Sequence, residues 1–379
     1  MTKTFLHFRP EYVREFKCDG SKCDARCCRG WNIFVDAGTC AQYSQLKSKF
    51  DATEILSHMN FDNRRGEFLV TLDERGFCPF LTDEKLCRLQ LDYGENFLSK
   101  TCATYPRRTF DFGQFFERSL TLSCPVAAKL ILLRDEPLKF EFVEVSEPEH
   151  SRGGKLKINP VNTQEGLPEK MLRIQVAMIS ILQRRTLSID GRLIVLGFFL
   201  DKLDELITDG LDDDALTKLI AAYESETFLT RHVPRMLASV RFDEKNFSAL
   251  MLELVDKLAD EKFSLTRELL TRRQIFADER KLFTARRANF MENFLVNELF
   301  ISGYPWKFSG IAKNFGVFVA TYKLFELMTF AAQNNSDDEL LSLTVAFARA
   351  ADHDDGFTQI IFDSVPDDIF ASLEALTDA

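Results

Sequence analysis

All nine cysteines of this 379-residue chain fall before residue 125, at positions 18, 23, 27, 28, 40, 78, 87, 102 and 124, and the remaining two-thirds has none. A fold that must accommodate clustered thiols is restricted to two solutions, disulfides or metal ligation. The N-terminal stretch MTKTFLHFRPEYVREFKC alternates apolar and charged residues and has no continuous apolar core, so it does not read as a secretory signal. The strongest apolar run, Leu193 to Leu200, falls far short of the roughly 20 residues that cross a bilayer. These features predict a cytoplasmic protein without membrane insertion. In that reducing compartment a cysteine framework ligates metal or does redox chemistry rather than forming structural disulfides.

Soft sulfur donors select zinc or iron–sulfur clusters over Mg²⁺ or Ca²⁺, and both a structural zinc and a [4Fe–4S] cluster take four cysteines. Two features favour iron–sulfur. Cys78-Pro79 and Cys124-Pro125 match the Cys-Pro context that closes some ferredoxin motifs, and the paired C-x2-C knuckles of zinc ribbons are missing. The expected ligands are Cys18, Cys23, Cys27, Cys28, Cys78, Cys87, Cys102 and Cys124; all eight would make two four-sulfur sites, and any four would make one. Neighbouring side chains diverge, so Cys27 and Cys28 are expected to face different surroundings. Cys40 lies in a helix-like stretch and reads as an ordinary buried thiol. Cys23-x3-Cys27 begins like the C-x3-C-x2-C loop of radical S-adenosylmethionine enzymes, but position 30 is Gly, so a radical mechanism is not supported. No G-x-G-x-x-G or P-loop occurs.

The fold expected is mainly α: a small cysteine-rich metal-binding N-terminal domain with short strands, followed by an α-helical domain. Residues 1–145 hold the cysteines, with period-two alternation in EFLVTL (67–72) and along 109–122 and a turn at Asp73–Gly76. Loops and short strands wrapped around a metal account for this part better than a large core. Residues 146–170, rich in Pro, Gly, Ser and charge, read as a linker. Within 171–379, helices are expected at 171–181, 193–207, 214–223, 247–258, 265–282, 288–300, 313–332 and 337–350, with Ser336 and Glu339 at capping-box spacing.

Net charge is −10, which argues against a nucleic-acid partner, because phosphate recognition needs clustered Lys and Arg. The 36 phenylalanines belong mostly inside. Tyr105-Pro-Arg-Arg108 reads either as an anion-facing pair of guanidiniums or as a solvated turn, and Tyr304-Pro-Trp306 either as a wall for a sulfonium or as core packing. The five histidines stand at no ligand spacing.

The runs KCDGSKCDARCC (17–28), GFCPFL (76–81), LCRL (86–89) and KTCATYPRR (100–108) resemble the bacterial cysteine-cluster family described as zinc- or iron-chelating. The full-length layout, including NFLVNELF at 293–300, resembles the flagellin lysine-N-methylases. The motif resemblance covers the first third of the chain; over the helical part it rests on length and general pattern. It implies an enzyme that moves methyl from S-adenosylmethionine to lysine ε-amines of flagellin, with the cysteines binding a [4Fe–4S] cluster, zinc being the alternative. The residues alone assign no catalytic or donor-binding group. They leave open a non-enzymatic metal-binding or metal-trafficking protein with a helical partner-binding domain.

Overall fold

Strands at both ends of the cysteine-rich region pair with one another in the computed structural model, closing it into a sheet. The structure describes residues 4–20, 23, 25–47, 50–146, 154–157, 167–227, 277–330, 336–353 and 355–365. The protein is mostly helical, with its strands confined to the N-terminal part. Two compact units are present: Met1–Asp111 with Phe115–Leu130 and Phe140–Leu156, and Phe112–Gln114 with Ile131–Lys139 and Lys157–Ala379.

In the first unit, strands β1 (Thr4–Pro10), β2 (Phe34–Val35), β3 (Met59–Asp62), β4 (Glu67–Val70), β5 (Arg107–Asp111), β6 (Phe116–Leu120), β7 (Phe140–Ser146) and β8 (Gly154–Lys157) form two sheets. One has the order β7-β1-β6-β5-β8 and the other β2-β4-β3. β1 runs antiparallel to β7, with Thr4 opposite Ser146, and parallel to β6, with Phe8 opposite Glu117. Short helices α1 (Tyr12–Glu15), α2 (Ala37–Tyr43), α3 (Ala52–Ser57), α4 (Arg88–Tyr93), α5 (Lys100–Thr104) and α6 (Pro125–Leu132) connect them. The alternating run 109–122 is the end of β5, a turn and β6: Gly113 adopts φ +86°, and the chain reverses there into a hairpin. Positive φ is accessible to glycine at little steric cost, which is what the turn requires. At Asp73–Gly76 the expected turn forms, closed by Gly76 N–H to the Asp73 carbonyl at 2.8 Å and Phe77 N–H to Asp73 Oδ1 at 2.8 Å.

Where the sequence suggests loops and short strands around a metal rather than a large core, this unit has a buried core of its own. Ile33, Val35, Tyr43, Phe50, Ile55, Val70, Phe80 and Leu89 make a buried core together with Cys40 and Cys78. Residues scattered over nearly 60 positions become one cluster only through the pairing of β2, β3 and β4, which period-two patterning does not disclose.

The second unit contains α7 (Leu167–Leu182), α8 (Ile189–Thr208), α9 (Asp213–Glu224), α10 (Ala277–Arg286), α11 (Ala288–Ser302), α12 (Ile311–Phe330), α13 (Asp337–His353) and α14 (Asp355–Ser364). Asp212 caps α9 by accepting from Ala215 N–H, and Ser336 caps α13 by accepting from Glu339 N–H at 3.3 Å. The expected helix at 247–258 and most of the linker lie outside the described residues, as does the first part of the expected helix at 265–282. α12 is the centre of the unit, packed by α8, α10, α11, α13 and α14. Its burial is nearly all-round, the pattern of a helix enclosed by other helices. Phe294 of α11 stacks on Phe325 of α12 at 3.7 Å, and Phe347 of α13 completes the aromatic layer. Tyr304 belongs to the same core, 2% exposed and edge-on to Phe318, while Trp306 is half-buried. Among the described residues no helix is long and apolar enough to cross a membrane.

Candidate metal centre

A single-turn 3-10 helix, Arg26–Cys28, sets the position of the adjacent cysteines. It follows Ala25 in the left-handed region at φ 50° and is closed by Cys28 N–H to the Ala25 carbonyl at 2.8 Å. The tight turn places Cys27 Sγ and Cys28 Sγ 3.7 Å apart. The pair therefore does not diverge as the sequence suggests, because divergence assumes an extended backbone and this one is coiled. The two thiols share a hydrogen bond that lowers the Cys27 thiol and, with burial, raises that of Cys28.

Three further segments bring their cysteines to this turn. Residues 28–30 are zipped to 76–78 by Cys78 N–H to the Cys28 carbonyl and Gly30 N–H to the Gly76 carbonyl, each 2.8 Å. Cys87 bridges back to Leu81, and Arg88 N–H donates to the Phe80 carbonyl at 2.7 Å, so 78–81 and 87–88 form a tight loop. Cys102 lies in the first turn of α5, where its N–H reaches the Ser99 cap at 3.3 Å. Cys28, Cys87 and Cys102 pack against the buried cluster that contains Cys78. Charge on Cys27, Cys78 and Cys102 is felt at Cys28, and charge on Cys102, Cys87 and Cys27 at Cys78. Five of the eight expected ligands, Cys27, Cys28, Cys78, Cys87 and Cys102, thus share one neighbourhood.

The other three form its flank. Cys124 and Cys23 each feel Cys27 and Cys18. Cys23 Sγ donates to the Gly20 carbonyl at 3.2 Å, while Gly20 N–H reaches Cys18 Sγ at 3.4 Å. Cys18 is exposed and Cys124 buried. Cys40 is buried within α2, as expected of a packing thiol.

Burial pushes the thiols of Cys78, Cys102 and Cys124 up to about 12. Backbone geometry works in the opposite direction. N–H groups of Leu89 and Gln90 at the start of α4 face Cys87, those of Val126 and Ala127 at the start of α6 face Cys124, and the Ser99 hydroxyl faces Cys102. Donors at helix N-termini favour a thiolate. Pro125 is the first residue of α6, a position proline suits, so the Cys124-Pro125 pair is also a helix start. Ser99, Tyr43 and Trp31 support the site without having been expected. Trp31 Nε1 donates to the Cys27 carbonyl at 2.9 Å and Tyr43 hydroxyl to the Phe97 carbonyl at 2.6 Å. Ser99-x-x-Cys102 has the spacing of an N-cap and was the legible signal of the three.

All nine cysteines are free thiols. Among the described residues no three His, Cys, Asp or Glu side chains are gathered closely enough to enclose an ion. The donor set suits a soft, sulfur-ligated group in atom type and number; among the described residues the sulfurs do not converge into a ligand shell.

A family profile described as the FliB lysine N-methylase C-terminal domain matches residues 175–377. The match lies in the cysteine-free part, where the sequence resemblance rests on general pattern rather than on the cysteine motifs. A protein named lysine-N-methylase from Salmonella typhimurium is 26% identical over 252 residues, 65% of this chain and 60% of the relative, and a protein of the same name from Salmonella choleraesuis matches to the same extent. The flagellar biosynthetic protein FliU of Salmonella muenchen is 33% identical over 129 residues, 32% of this chain and 75% of that protein. The chain thus spans about 60% of the length of the lysine-N-methylases it matches. No solved structure matches it. With more than half of its length covered by that profile, the chain belongs to the FliB lysine N-methylase C-terminal domain family.

Proposed function

We propose that this protein is a protein-lysine N-methyltransferase that uses S-adenosylmethionine to methylate lysine side chains of flagellin, and that its N-terminal thiols hold a [4Fe–4S] cluster. The observation that carries the enzymatic reading is the family match over the helical unit. The relatives' names, lysine-N-methylase and a flagellar biosynthetic protein, support lysine as target and flagellin as substrate.

A lysine side chain has an ordinary pKa near 10.4, so the ammonium must lose its proton before nitrogen can attack. In the displacement, the nitrogen lone pair forms the N–C bond as the C–S bond of the sulfonium breaks. Its electron pair stays on sulfur, leaving a neutral thioether, and the amine's second proton goes to solvent or base. The displacement involves no electron transfer and so needs no oxidant or reductant. The thiol site is therefore assigned to holding the N-terminal unit together, with Cys28, Cys78, Cys87 and Cys102 as the first choice of ligands, since these four share one neighbourhood and pack on one core. Bound there, a cluster supplies a covalent cross-link among four chain segments. The N–H groups at the start of α4 facing Cys87 and the Ser99 hydroxyl facing Cys102 offset part of the burial that raises both thiols.

The test is incubation of the anaerobically purified chain with methyl-labelled S-adenosylmethionine and flagellin. Label in lysine is expected. A preparation with its metal intact that leaves flagellin unlabelled is the outcome of the metal-binding alternative and would overturn the enzymatic reading.

A further inference from the structure

The helical unit holds a cavity of about 330 Å³ bounded by residues 132–135, the α10–α11 junction at 285–290, and Asp337. Its size lies at the lower end of the roughly 300–1,000 Å³ of small-molecule sites. The wall at 132–135 is fixed from behind. Asn293 Nδ2 donates to the Arg134 carbonyl at 2.9 Å, Arg185 Nη1 to the Asp135 carbonyl at 2.7 Å, and Gln183 Nε2 to the Leu138 carbonyl at 2.9 Å. Arg185 is itself locked to the buried Glu292 carboxylate by hydrogen bonds of 2.9 to 3.2 Å. With its backbone held this way, the segment contributes both Arg134 and Asp135 to the cavity lining.

The lining carries both signs of charge. Arg134 and Arg286 line it together with Arg287, which is paired to Asp337 at 2.6 Å, and α11 starts at Ala288, so its free backbone N–H groups begin there. Guanidiniums and a helix N-terminus favour a carboxylate. Asp135 supplies a carboxylate in the same cavity, and Leu132, Leu133 and Phe290 supply apolar surface. A second observation concerns Asn293, one turn further along α11 from Asn289 and Phe290. It is fully buried, and its Oδ1 has no hydrogen-bond partner among the described residues. A buried acceptor left unpaired is destabilising, and this one belongs to the side chain that holds the Arg134 carbonyl.

We infer that this cavity binds the zwitterionic amino-acid end of a small molecule, with its carboxylate toward Arg134, Arg286 and the start of α11 and its ammonium toward Asp135. Resting on the methyltransferase reading, the preferred ligand is the methionyl end of S-adenosylmethionine; a free amino acid carries the same chemistry.

Calorimetric titration of the full chain with S-adenosylmethionine, free methionine and inorganic phosphate separates the possibilities. S-adenosylmethionine is expected to bind more tightly than methionine, and phosphate weakly or not at all. Asp135→Asn and Arg286→Gln are each expected to weaken donor binding about tenfold or more, the effect of losing one charged hydrogen bond. Lys218→Ala on the exposed face of α9 is expected to leave binding unchanged, and circular dichroism shows whether each variant is folded. Tight donor binding by the parent that both cavity variants retain would overturn the location while leaving the methyltransferase reading intact. Phosphate competing with the donor while Asp135→Asn has no effect would make this a simple anion site and overturn the zwitterion. A parent that binds neither donor nor methionine would overturn the inference, and the flagellin labelling assay then judges the wider reading separately.

Discussion

Single residues in this protein differ sharply in what their burial does. Glu117 of β6 lies in register between Phe8 and Phe110, is 1% exposed, and burial pushes its carboxyl up to about 8. The folded state thus keeps a proton that the unfolded chain releases near pH 4.3, and stability falls as pH rises between these values. The loss is on the order of 5 kcal/mol by pH 8. Glu117→Gln cannot ionise, so urea unfolding is expected to show the variant gaining on the parent between pH 5 and pH 8; a pH-independent difference would refute the assignment. The thiols divide in a similar way. Cys102→Ser removes a sulfur from the shared neighbourhood and is expected to abolish bound iron, whereas Cys40→Ala, within α2, is expected to leave iron and sulfide content at the parent level. Equal iron loss in both variants would mean that the site has been misplaced. That the thiols are concentrated in the first third was legible in sequence; that Cys27 and Cys28 touch was not, because a 3-10 turn preceded by a left-handed alanine has no strong sequence signature.

At the scale of elements, the apolar runs of α8, α11, α12 and α13 were readable and their ends came within a few residues of expectation. Their burial was less readable. Glu292, Asn293, Asn297 and Glu298 would ordinarily mark a solvated face of α11, yet all are buried. The reason is a set of partners distant in sequence. Glu292 accepts from Arg185 and from Arg192, the latter at 2.7 Å. A second group joins α8, α10 and α12, where Lys323 reaches both Asp190 and Glu326, and Thr284 donates to Glu326 at 2.7 Å. Burial pushes the Glu326 carboxyl up, but Lys323 and Arg280 outweigh it and hold it below its ordinary range. Glu292→Ala would leave Arg192 buried without its counter-charge. Such a loss costs roughly 3–5 kcal/mol, measurable as a lower denaturation midpoint; a midpoint within error of the parent would show that water enters and solvates the arginine. The strand elements were legible only in part. EFLVTL was readable, but β1 and β7 pair across more than 130 residues, and the hairpin of β5 and β6 looked continuous because aromatic residues recur on both sides of Gly113.

For the whole molecule, the cysteine-rich and helical units carry different parts of the account. The first gathers free thiols around one turn and has a hydrophobic core of its own; the second contains the family-defining sequence and the charged cavity. The cysteine motifs suggested the family, while the profile match falls on helices whose chemistry could not be read from spacing, because their charged groups find partners only in three dimensions. Lysine methyl transfer is the central claim, and peptide mass spectrometry of flagellin after incubation with the purified chain and S-adenosylmethionine tests it most directly. The expected result is lysine-containing flagellin peptides heavier by whole methyl groups, absent when the donor is omitted. Flagellin lysines left unmodified by a folded, metal-loaded preparation that binds the donor would contradict it.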